Sequence, residues 1–571
     1  MDVALIGLLA VLGIAGVSAV SARLGVAAPL LLVALGVGVS LLPFVPAIEI
    51  DAEWILMGVL PPLLYSASVS MPAMDFRRDF GTIGSLSVVL VVISSLLVGL
   101  FIAAVVPGVG LATGIALGAI ISPTDAVATS IVKRLGAPPR VVTVLEGESL
   151  LNDATALVLL RSANAATSVS VSVVGVVGDF VWAVLIAVVV GLLVGRLNLL
   201  VRSRIVDPAV NTAISFAVPF IAYLPVEHLG GSGLVAAVAA GLVTGHSAPR
   251  YLEPAHRRAE EQNWRTVELL LEGGVFLLMG LELYGLVEDL DDSGGGLGTA
   301  LWVGAVAALI VIVVRTAYVV PLLVGLARRA ERNEALRDRL SDMQGRIDDP
   351  SFFADAARPG RVIGERRQEQ FRTRVRRGIA DVDYLAGSPV GWREGTVMVW
   401  AGMRGVVTLA AAQTLPEDTP ERSLLILVAF VVAAGTLVVQ GGTLPFVVRR
   451  LGLVSAPPAE QDPDRDALIR GLGDAAGRML ADPGLVRADG TPYDPDLLER
   501  TRGWTLARVD AREEADADLA AQQAELRIAI LVAMRAELLR VRSDGLHSSE
   551  VLEDALAILD AEQISIEMRA R

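Results

Sequence analysis

The stretch EGESLLNDATALVLLR, residues 146–161, decides the fold of this chain. Its second half is apolar. A helix needs about 20 residues to cross a bilayer, and the whole stretch is nearly that long. Yet it contains Glu146, Glu148, Asn152 and Asp153. A charged carboxylate in hydrocarbon is costly, and such residues typically mark ion or proton pathways. The stretch therefore predicts a membrane helix whose acidic residues have a function.

The rest of the chain fits a membrane protein with soluble parts. Of its 571 residues, 53% are hydrophobic and 19% are charged. Charged residues are sparse up to about residue 325 and dense in 326–394 and 455–571. This pattern predicts a transmembrane domain over residues 1–450, interrupted by a cytosolic loop at 328–390, and a helical cytosolic C-terminal domain over 451–571.

Composition also excludes several classes of protein. There is no cysteine, which excludes disulfides and thiolate chemistry, and the net charge of −14 argues against a nucleic-acid binder. No metalloprotease motif or Ser/His pairing is present, so the chain is predicted not to be an enzyme and to need no cofactor. The histidines lie in predicted loops, helix ends or the tail: His228, His246, His256 and His547.

Apolar segments of sufficient length predict thirteen membrane-spanning helices. The first one lacks the basic segment of a signal peptide and is interpreted as a retained helix. The predicted ranges are 3–21, 25–43, 53–70, 84–106, 111–132, 142–161, 172–200, 209–225, 232–248, 266–286, 299–325, 395–414 and 423–448.

The loops between these spans predict the orientation. Arg- and Lys-containing loops alternate with acidic or neutral loops, apart from Arg161 and Arg422. The positive-inside rule then predicts a multi-pass protein of the cell membrane, with its N-terminus outside and its C-terminus in the cytoplasm. Thirteen spans with opposite ends fit six helices, a linker helix and six helices, which is the inverted-repeat plan of secondary transporters.

The sixth predicted span carries a ladder of polar side chains. Asp153 lies near its middle, with Ser149 one turn and Glu146 two turns nearer the cytoplasm on the same face. Glu148 and Asn152 form a second pair about 100° round the helix. A structural ion pair is the alternative reading of Asp153 and the favoured reading of Glu148.

The fifth predicted span contains ISPTDAVATS, residues 121–130. Pro123 should interrupt the helix, because proline lacks an N–H group and clashes with the preceding turn. Ser122 and Thr124 could cap the helix that resumes, and Asp125 suits the positive end of its dipole. The unwound carbonyls near Thr124 could bind a cation. For Asp125 the capping role is favoured over ion binding.

The twelfth predicted span contains WAGMRGVVTLAAAQ, residues 400–413. Gly402 and Gly405 flank Arg404 near the middle of the span. Because arginine stays charged, Arg404 needs a buried carboxylate or carbonyl groups. Two interrupted helices at matching positions of two halves indicate a transporter site.

These motifs resemble the monovalent cation/proton antiporters, the family of bacterial NhaP-type antiporters and animal sodium/proton exchangers. LEGESLLNDATALVL resembles the core motif of that family, SPTDAVA its threonine-aspartate motif and WAGMRGVVTLA its Gly-x-Arg-Gly segment. LPPLLYSASVSM and VELLLEGGVFLLMGLEL resemble its third-helix and tenth-helix motifs. The resemblance covers about residues 1–450. It implies a thirteen-helix inverted repeat, which is usually a homodimer.

The resemblance also implies the site. Asp153 would be the shared binding site for the transported cation and the proton. Ser149 and the Thr124 backbone would help to coordinate the cation, and Asn152 would hold the geometry. An Asn-Asp pair, rather than Asp-Asp, implies electroneutral exchange of one cation for one proton.

The remaining implied contacts concern accessory residues. The resemblance pairs Glu148 with Arg404. Ser66 stands where the third helix of the family often has an acid. Glu272 stands where asparagine is common, and it is predicted to be a partner of Arg315 or an additional acid of the ion path.

The predicted function is exchange of Na⁺ or Li⁺ for H⁺ by alternating access, with a role in pH homeostasis. The predicted partners are monovalent cations, protons, membrane lipid and a second copy of the chain. Ser66 keeps K⁺/H⁺ exchange as an alternative within the same class. A gated cation channel is the alternative from another class, and it would need a continuous polar pore. The soluble parts are predicted to be helical, with a helix over 516–542 and a last helix beginning near Ser549.

Overall fold

In a computed structural model of the chain, the structure describes residues 3–24, 26–42, 53–168, 173–292, 296–347, 365–454, 463–482, 484–487, 490–502, 517–545 and 547–570. Apart from an isolated β-bridge between Val486 and Pro492, the regular structure of these residues is helical. The predicted all-α fold is therefore confirmed.

The N-terminal half of the chain forms helices that match the first nine predicted spans. Two short π-helical segments, Trp54–Val59 and Ser85–Leu90, lie among the α-helices here. The helices are α1 (Val3–Leu24), α2 (Ala28–Ser40), α3 (Leu60–Ser70), α4 (Ala73–Gly84), α5 (Val91–Val105), α6 (Leu111–Ile121), α7 (Ala126–Arg134), α8 (Pro139–Ser168), α9 (Val173–Arg202), α10 (Pro208–His228) and α11 (Gly233–Tyr251).

Helices of the C-terminal half match the other predicted spans and the soluble segments. A third π-helical segment spans Leu437–Gly441. The helices are α12 (Pro254–Leu281), α13 (Leu283–Asp292), α14 (Leu297–Ile347), α15 (Glu365–Gly387), α16 (Trp392–Trp400), α17 (Val406–Gln413), α18 (Arg422–Thr436), α19 (Gly442–Arg450), α20 (Pro463–Leu480), α21 (Pro495–Arg502), α22 (Ala517–Asp544) and α23 (Ser549–Ala570).

The chain divides into two compact units. The first comprises Met1–Tyr251, Ala259–Ala327 and Val390–Ser455, and the second comprises Leu252–Arg258, Arg328–Pro389 and Ala456–Arg571. The first unit contains both interrupted helices and the polar ladder. The assignment of residues 451–571 to a separate cytosolic domain, and of 328–390 to a cytosolic insert, remains a prediction.

Length and composition support a multi-pass membrane protein. Among the described residues, seven helical segments are long and apolar enough to cross a membrane, and three apolar helices are shorter. The outward face of α9 carries large apolar side chains that suit contact with lipid, among them Val181, Leu185, Leu193 and Leu197. The number of thirteen crossings stays a prediction.

Glycines allow the helices of the first unit to pack closely. A methyl group at Gly99 of α5 would lie 2.7 Å from the Cα of Ile115 in α6, and one at Gly195 of α9 would lie 2.9 Å from the Ala240 carbonyl oxygen in α11. Small residues at such contacts let the backbones of membrane helices approach each other. The packing of α5 on α6 places the first helix interruption inside the unit.

The second unit has its own apolar core. Buried Leu480, Tyr493, Leu497 and Leu526 pack together, and α22 covers nearly all of the helix predicted over 516–542. The last helix begins at Ser549 with Glu550 in its first turn, so the predicted start is confirmed.

Candidate ion-binding site

The first interruption lies between α6 and α7, around Pro123. Asp125 is the N-cap of α7, and its Oδ1 atom accepts a hydrogen bond of 3.2 Å from the N–H group of Val127. The expectation that Ser122 or Thr124 caps this helix is wrong. The Ser122 hydroxyl donates to the Gly118 carbonyl at 2.7 Å, and the Thr124 hydroxyl contacts α8 instead. The favoured capping role of Asp125 is present.

The second interruption, between α16 and α17, lies against the first. The Asp125 N–H group donates to the Met403 carbonyl at 2.9 Å. Gly405, the N-cap of α17, leaves room for the carboxylate of Asp125, because a methyl group at this position would overlap it. Asp125 therefore sits beside the N-terminal ends of two half-helices, where the helix dipoles favour a negative charge.

Arg404 occupies the opposite ends of the half-helices. Its side chain is 2% exposed. Its guanidinium donates from Nε to the Ile121 carbonyl at 2.8 Å, from Nη2 to the Ser122 carbonyl at 3.3 Å, and from Nη1 to the Gly402 carbonyl. These carbonyls belong to the C-terminal ends of α6 and α16, where a cation is favoured.

Glu148 has a different partner from the predicted one. Arg315 of α14 donates from Nη1 to Glu148 Oε1 at 2.5 Å and from Nη2 to Glu148 Oε2 at 2.8 Å. The predicted Glu148–Arg404 salt bridge is therefore wrong: the carbonyl groups hold Arg404, and Arg315 neutralises Glu148. The Arg315 Nε atom also donates to the Met398 carbonyl at 2.8 Å, which fixes the guanidinium beside α16.

The predicted Glu272–Arg315 pair is wrong for the same reason, because both terminal nitrogens of Arg315 bind Glu148. Glu272 lies in α12 and is close enough to Asp125 to interact with it electrostatically. Asp153 also lies within electrostatic range of Asp125. Asp125 is thus within electrostatic range of both other carboxylates.

Thr124 connects the first interruption to α8. Its carbonyl accepts hydrogen bonds from the Ser149 hydroxyl at 3.1 Å and from Asn152 Nδ2 at 3.3 Å. Asn152 Nδ2 also lies 2.8 Å from the Thr124 hydroxyl, which donates to Glu148 Oε1 at 3.3 Å. The structure therefore brings together Thr124, Ser149, Asn152 and Glu148.

Asp153 lies on the same face of α8 as Ser149 and is only 7% exposed. Within the part of the chain that the structure describes, its carboxylate forms no hydrogen bond or ion pair. In the same described set, Asn152 Oδ1 and Asp125 Oδ2 are buried oxygens without a hydrogen-bond partner. Buried oxygens of this kind can bind a cation, since hard cations prefer oxygen ligands.

The accessory residues lie around this group. Glu146 lies two turns from Asp153. Its Oε1 atom is 3.9 Å from Nζ of Lys133 in α7, and both side chains are in contact with solvent. Ser66 is buried in α3, whose Leu64 shares an apolar cluster with Leu150 of α8. No hydrogen bond joins Ser66 to Asp153 among the described residues.

One contact was not anticipated from the sequence. The Thr436 hydroxyl, where α18 meets its π-helical segment, accepts a hydrogen bond of 3.0 Å from the Arg404 N–H group. The only available signal was a threonine inside an apolar span, and that signal does not name its partner.

Comparisons with known proteins identify the family of this chain. The sodium/hydrogen exchanger family matches residues 7–450. A protein of Mycobacterium tuberculosis named as an uncharacterised Na⁺/H⁺ exchanger is 29% identical over 564 residues, which cover 95% of this chain and 92% of the relative. The Na⁺/H⁺ antiporter ApNhaP of Aphanothece halophytica is 26% identical over 431 residues, 74% of this chain and 70% of the relative.

A solved structure shares the fold. The sodium proton antiporter MjNhaP1 of Methanocaldococcus jannaschii superposes with a TM-score of 0.55 at 17% identity, over 79% of this chain and 98% of that one. Members of this group are transporters rather than enzymes, and they need no cofactor because the ions are substrates. The family match over most of the transmembrane region shows that this chain belongs to the sodium/hydrogen exchanger family and is a cation/proton antiporter.

Proposed function

We propose that the chain exchanges Na⁺ or Li⁺ for H⁺ in a one-to-one ratio, with Asp153 as the shared site. The proposal rests on one observation: the other buried charged groups near the site have protein partners, and Asp153 does not among the described residues. Glu148, Arg315 and Arg404 are buried and each has charged or carbonyl partners, whereas the buried Asp153 carboxylate has none among the described residues.

Burial of an unpaired carboxylate explains the coupling. A charged Asp153 is disfavoured in the membrane interior, and either a bound cation or a bound proton removes that penalty. The two ligands compete for one group. If the protein changes readily between inward-facing and outward-facing states only when Asp153 is neutralised, each transit carries one cation or one proton.

The neighbouring oxygens are suited to hold the cation. The Thr124 carbonyl and the Ser149 hydroxyl lie together, 3.1 Å apart, on the side of α8 that carries Asp153. Asn152 holds the Thr124 segment through its amide group and leaves its own Oδ1 atom buried and without a partner in the described chain. We assign Thr124, Ser149 and Asp153 as the cation ligands and Asn152 as the residue that positions them.

The direct test uses everted membrane vesicles that contain a pH-sensitive dye. Addition of Na⁺ or Li⁺ should dissipate an imposed proton gradient with the unmodified protein and not with Asp153→Asn. The matched control is Asp289→Asn, the same chemical change at an exposed position of α13, which should transport normally. Exchange by a folded Asp153→Asn variant would overturn the proposal.

The ratio of ions has its own test. Asn152 cannot take up a proton, so one titrating group exchanges one cation for one proton and no net charge moves. An electrogenic exchanger would be driven by about 2.3 kcal/mol per 100 mV for each net charge. In proteoliposomes, the Na⁺-driven rate should therefore not change when a membrane potential is imposed. A several-fold change would indicate a second acid, with Glu272 and Asp125 as the first candidates.

K⁺/H⁺ exchange remains the second candidate, because the third helix has Ser66 where the family often has an acid. A weaker ligand set favours a larger, more weakly hydrated ion. Comparison of Na⁺, Li⁺ and K⁺ in the same vesicles decides between the two. A response to K⁺ that exceeds the response to Na⁺ would assign the chain to K⁺/H⁺ exchange.

We also propose that the chain is a homodimer in the cell membrane, with its N-terminus outside and its C-terminus in the cytoplasm. The alternation of basic and acidic loops supports the orientation, and the family resemblance supports the dimer. The absence of cysteine allows single cysteines to be introduced without background. Labelling of such a cysteine at Asp418 by an impermeant reagent from outside, together with cross-linking between copies, tests both points.

A further inference from the structure

A second buried carboxylate in the membrane domain lies away from the Asp153 site. Glu282 falls between α12 and α13 and is only 6% exposed. Its Oε2 atom accepts a hydrogen bond of 3.0 Å from Nε2 of Gln413, the last residue of α17. No arginine, lysine or histidine forms an ion pair with Glu282 in the described residues.

Two oxygen atoms of these side chains have no hydrogen-bond partner among the described residues. Glu282 Oε1 and Gln413 Oε1 are both buried, and neither accepts a hydrogen bond from any described residue. A buried carboxylate whose only partner is a neutral amide is poorly stabilised, because removal of a charge from water is costly. Each of these oxygens can accept either a hydrogen bond or a cation.

The surroundings hold the pair in place. Val275, seven residues before Glu282 on α12, packs with Ala410, three residues before Gln413 on α17, and with Ile55. The Gln413 carbonyl accepts a hydrogen bond of 2.8 Å from Arg422 Nη2, and the Leu415 carbonyl accepts one of 3.0 Å from Arg422 Nε. Arg422 is therefore occupied by carbonyl groups at the end of α17.

We propose that Glu282 and Gln413 form a second binding site for a monovalent cation, with Glu282 Oε1 and Gln413 Oε1 as ligands. A cation there neutralises the carboxylate and satisfies both oxygens at once, which the described protein groups do not. Both residues lie at the ends of α12 and α17 that the predicted orientation places outside. The site would therefore hold a cation on its way to or from the outer face.

The first test measures binding in protein that lacks the carboxylate of the proposed transport site. The full-length Asp153→Asn variant is purified, and its Tm is measured in NaCl and in choline chloride of equal ionic strength. The Tm should still be higher in NaCl, and this difference should disappear in Asp153→Asn/Glu282→Gln. The control, Asp153→Asn/Glu288→Gln, changes an exposed glutamate of α13 and should keep the difference.

Either of two results would overturn the inference: no Na⁺ dependence in Asp153→Asn, or an equal dependence with and without Glu282→Gln. Such results would mean that Na⁺ does not bind at these oxygens. Because the transport test of Asp153 uses proton movement and this test uses stability, failure of one is distinguishable from failure of the other.

A second variant covers the case in which Glu282→Gln does not fold. Gln413→Glu places two carboxylates together, so it should lower the Tm in choline chloride and restore it in NaCl. An equal fall of the Tm in both salts would contradict a cation site and indicate a structural hydrogen bond.

Transport gives a side-specific measurement. Glu282→Gln should raise the KM for Na⁺ added at the outer face by about tenfold, as expected for loss of a charged ligand. The KM for Na⁺ at the cytoplasmic face and the maximal rate should stay within about twofold of the unmodified protein. A change of equal size at both faces would assign Glu282 to folding rather than to the outer path.

Discussion

Glu148 and Asp153 are two carboxylates of one helix, both buried, with opposite surroundings. Glu148 accepts two hydrogen bonds from Arg315 and one from Thr124. Asp153 has no such partner among the described residues, although it lies only about 7.5 Å further along α8 at 1.5 Å per residue. The fold thus supplies Glu148 with protein partners and gives Asp153 none among the described residues, as the proposed binding of a cation or a proton at Asp153 requires. A permanent arginine on Asp153 would compete with both the cation and the proton.

The largest expected effect is a difference in protein stability between substitution of Glu148 and substitution of Asp153. Glu148→Gln leaves the Arg315 charge buried without a carboxylate, and loss of one partner of a buried pair costs about 3–5 kcal/mol. Asp153→Asn removes an unpaired charge, so its Tm should equal or exceed that of the unmodified protein. The detergent-purified variants are heated, and the folded protein that remains is measured by size-exclusion chromatography. This gives the Tm of each variant. Equal destabilisation by the two substitutions would contradict the contrast.

A double substitution sharpens the assignment of the partner. Arg315→Met should destabilise the protein about as much as Glu148→Gln does. The double variant Glu148→Gln/Arg315→Met should recover part of the lost stability, because the effects of substitutions at contacting residues are not additive. The same cycle with Arg404→Met in place of Arg315→Met should be close to additive. Recovery of stability with Arg404→Met, and not with Arg315→Met, would favour the Glu148–Arg404 pairing that the family resemblance implies.

Arg404 should be sensitive to geometry as well as to charge. Arg404→Met removes hydrogen bonds to three carbonyl groups at half-helix ends, with an expected loss of about 3 kcal/mol. Arg404→Lys keeps the charge but cannot reproduce the planar set of donors, so it should recover only part of the Tm. Full recovery by lysine would show that the charge alone is needed.

A smaller effect is expected where the two interruptions meet. Gly405→Ala places a methyl group on the Asp125 carboxylate and should cost about 1–3 kcal/mol, as overpacking does. Gly435→Ala in α18 is the matched control, because a methyl group there has no atom within 4 Å. An unchanged Tm and transport rate for Gly405→Ala would mean that Asp125 is not confined at the crossing.

The smallest effect should be on cation affinity. Ser149→Ala removes a neutral oxygen ligand and leaves the Asp153 charge, so the KM for Na⁺ should rise by about fivefold, or about 1 kcal/mol, with little change in the maximal rate. Ser162→Ala is the control, since among the described residues the Ser162 hydroxyl donates only to the Val158 carbonyl of its own helix, at 2.9 Å. An equal KM for the two variants would remove Ser149 from the ligand set.

Features that depend on a single helix could be predicted from the sequence. Apolar length predicted the helical segments, Pro123 predicted the interruption of the fifth span, and the spacing of Ser149 and Asp153 placed them on one face of α8. The last helix was also predicted, because Ser549 and Glu550 form a local start signal. Each of these properties is fixed by residues of one continuous segment of the chain.

Only the tertiary structure decided which groups satisfy one another. Arg315 is 167 positions from Glu148 in the chain, yet its terminal nitrogens bind the Glu148 carboxylate of α8, and its Nε atom donates to the Met398 carbonyl of α16. The sequence named both arginines and both glutamates and left Arg404 to a carboxylate or to carbonyl groups. The family resemblance paired Arg404 with Glu148, and Glu272 was assigned either to Arg315 or to the ion path, since charge alone does not specify a partner. Carbonyl groups exposed by the helix interruptions were equally good partners for Arg404, and their positions depend on how the two half-helices cross. The packing of distant helices thus determined where charge is neutralised and left Asp153 without a protein partner among the described residues.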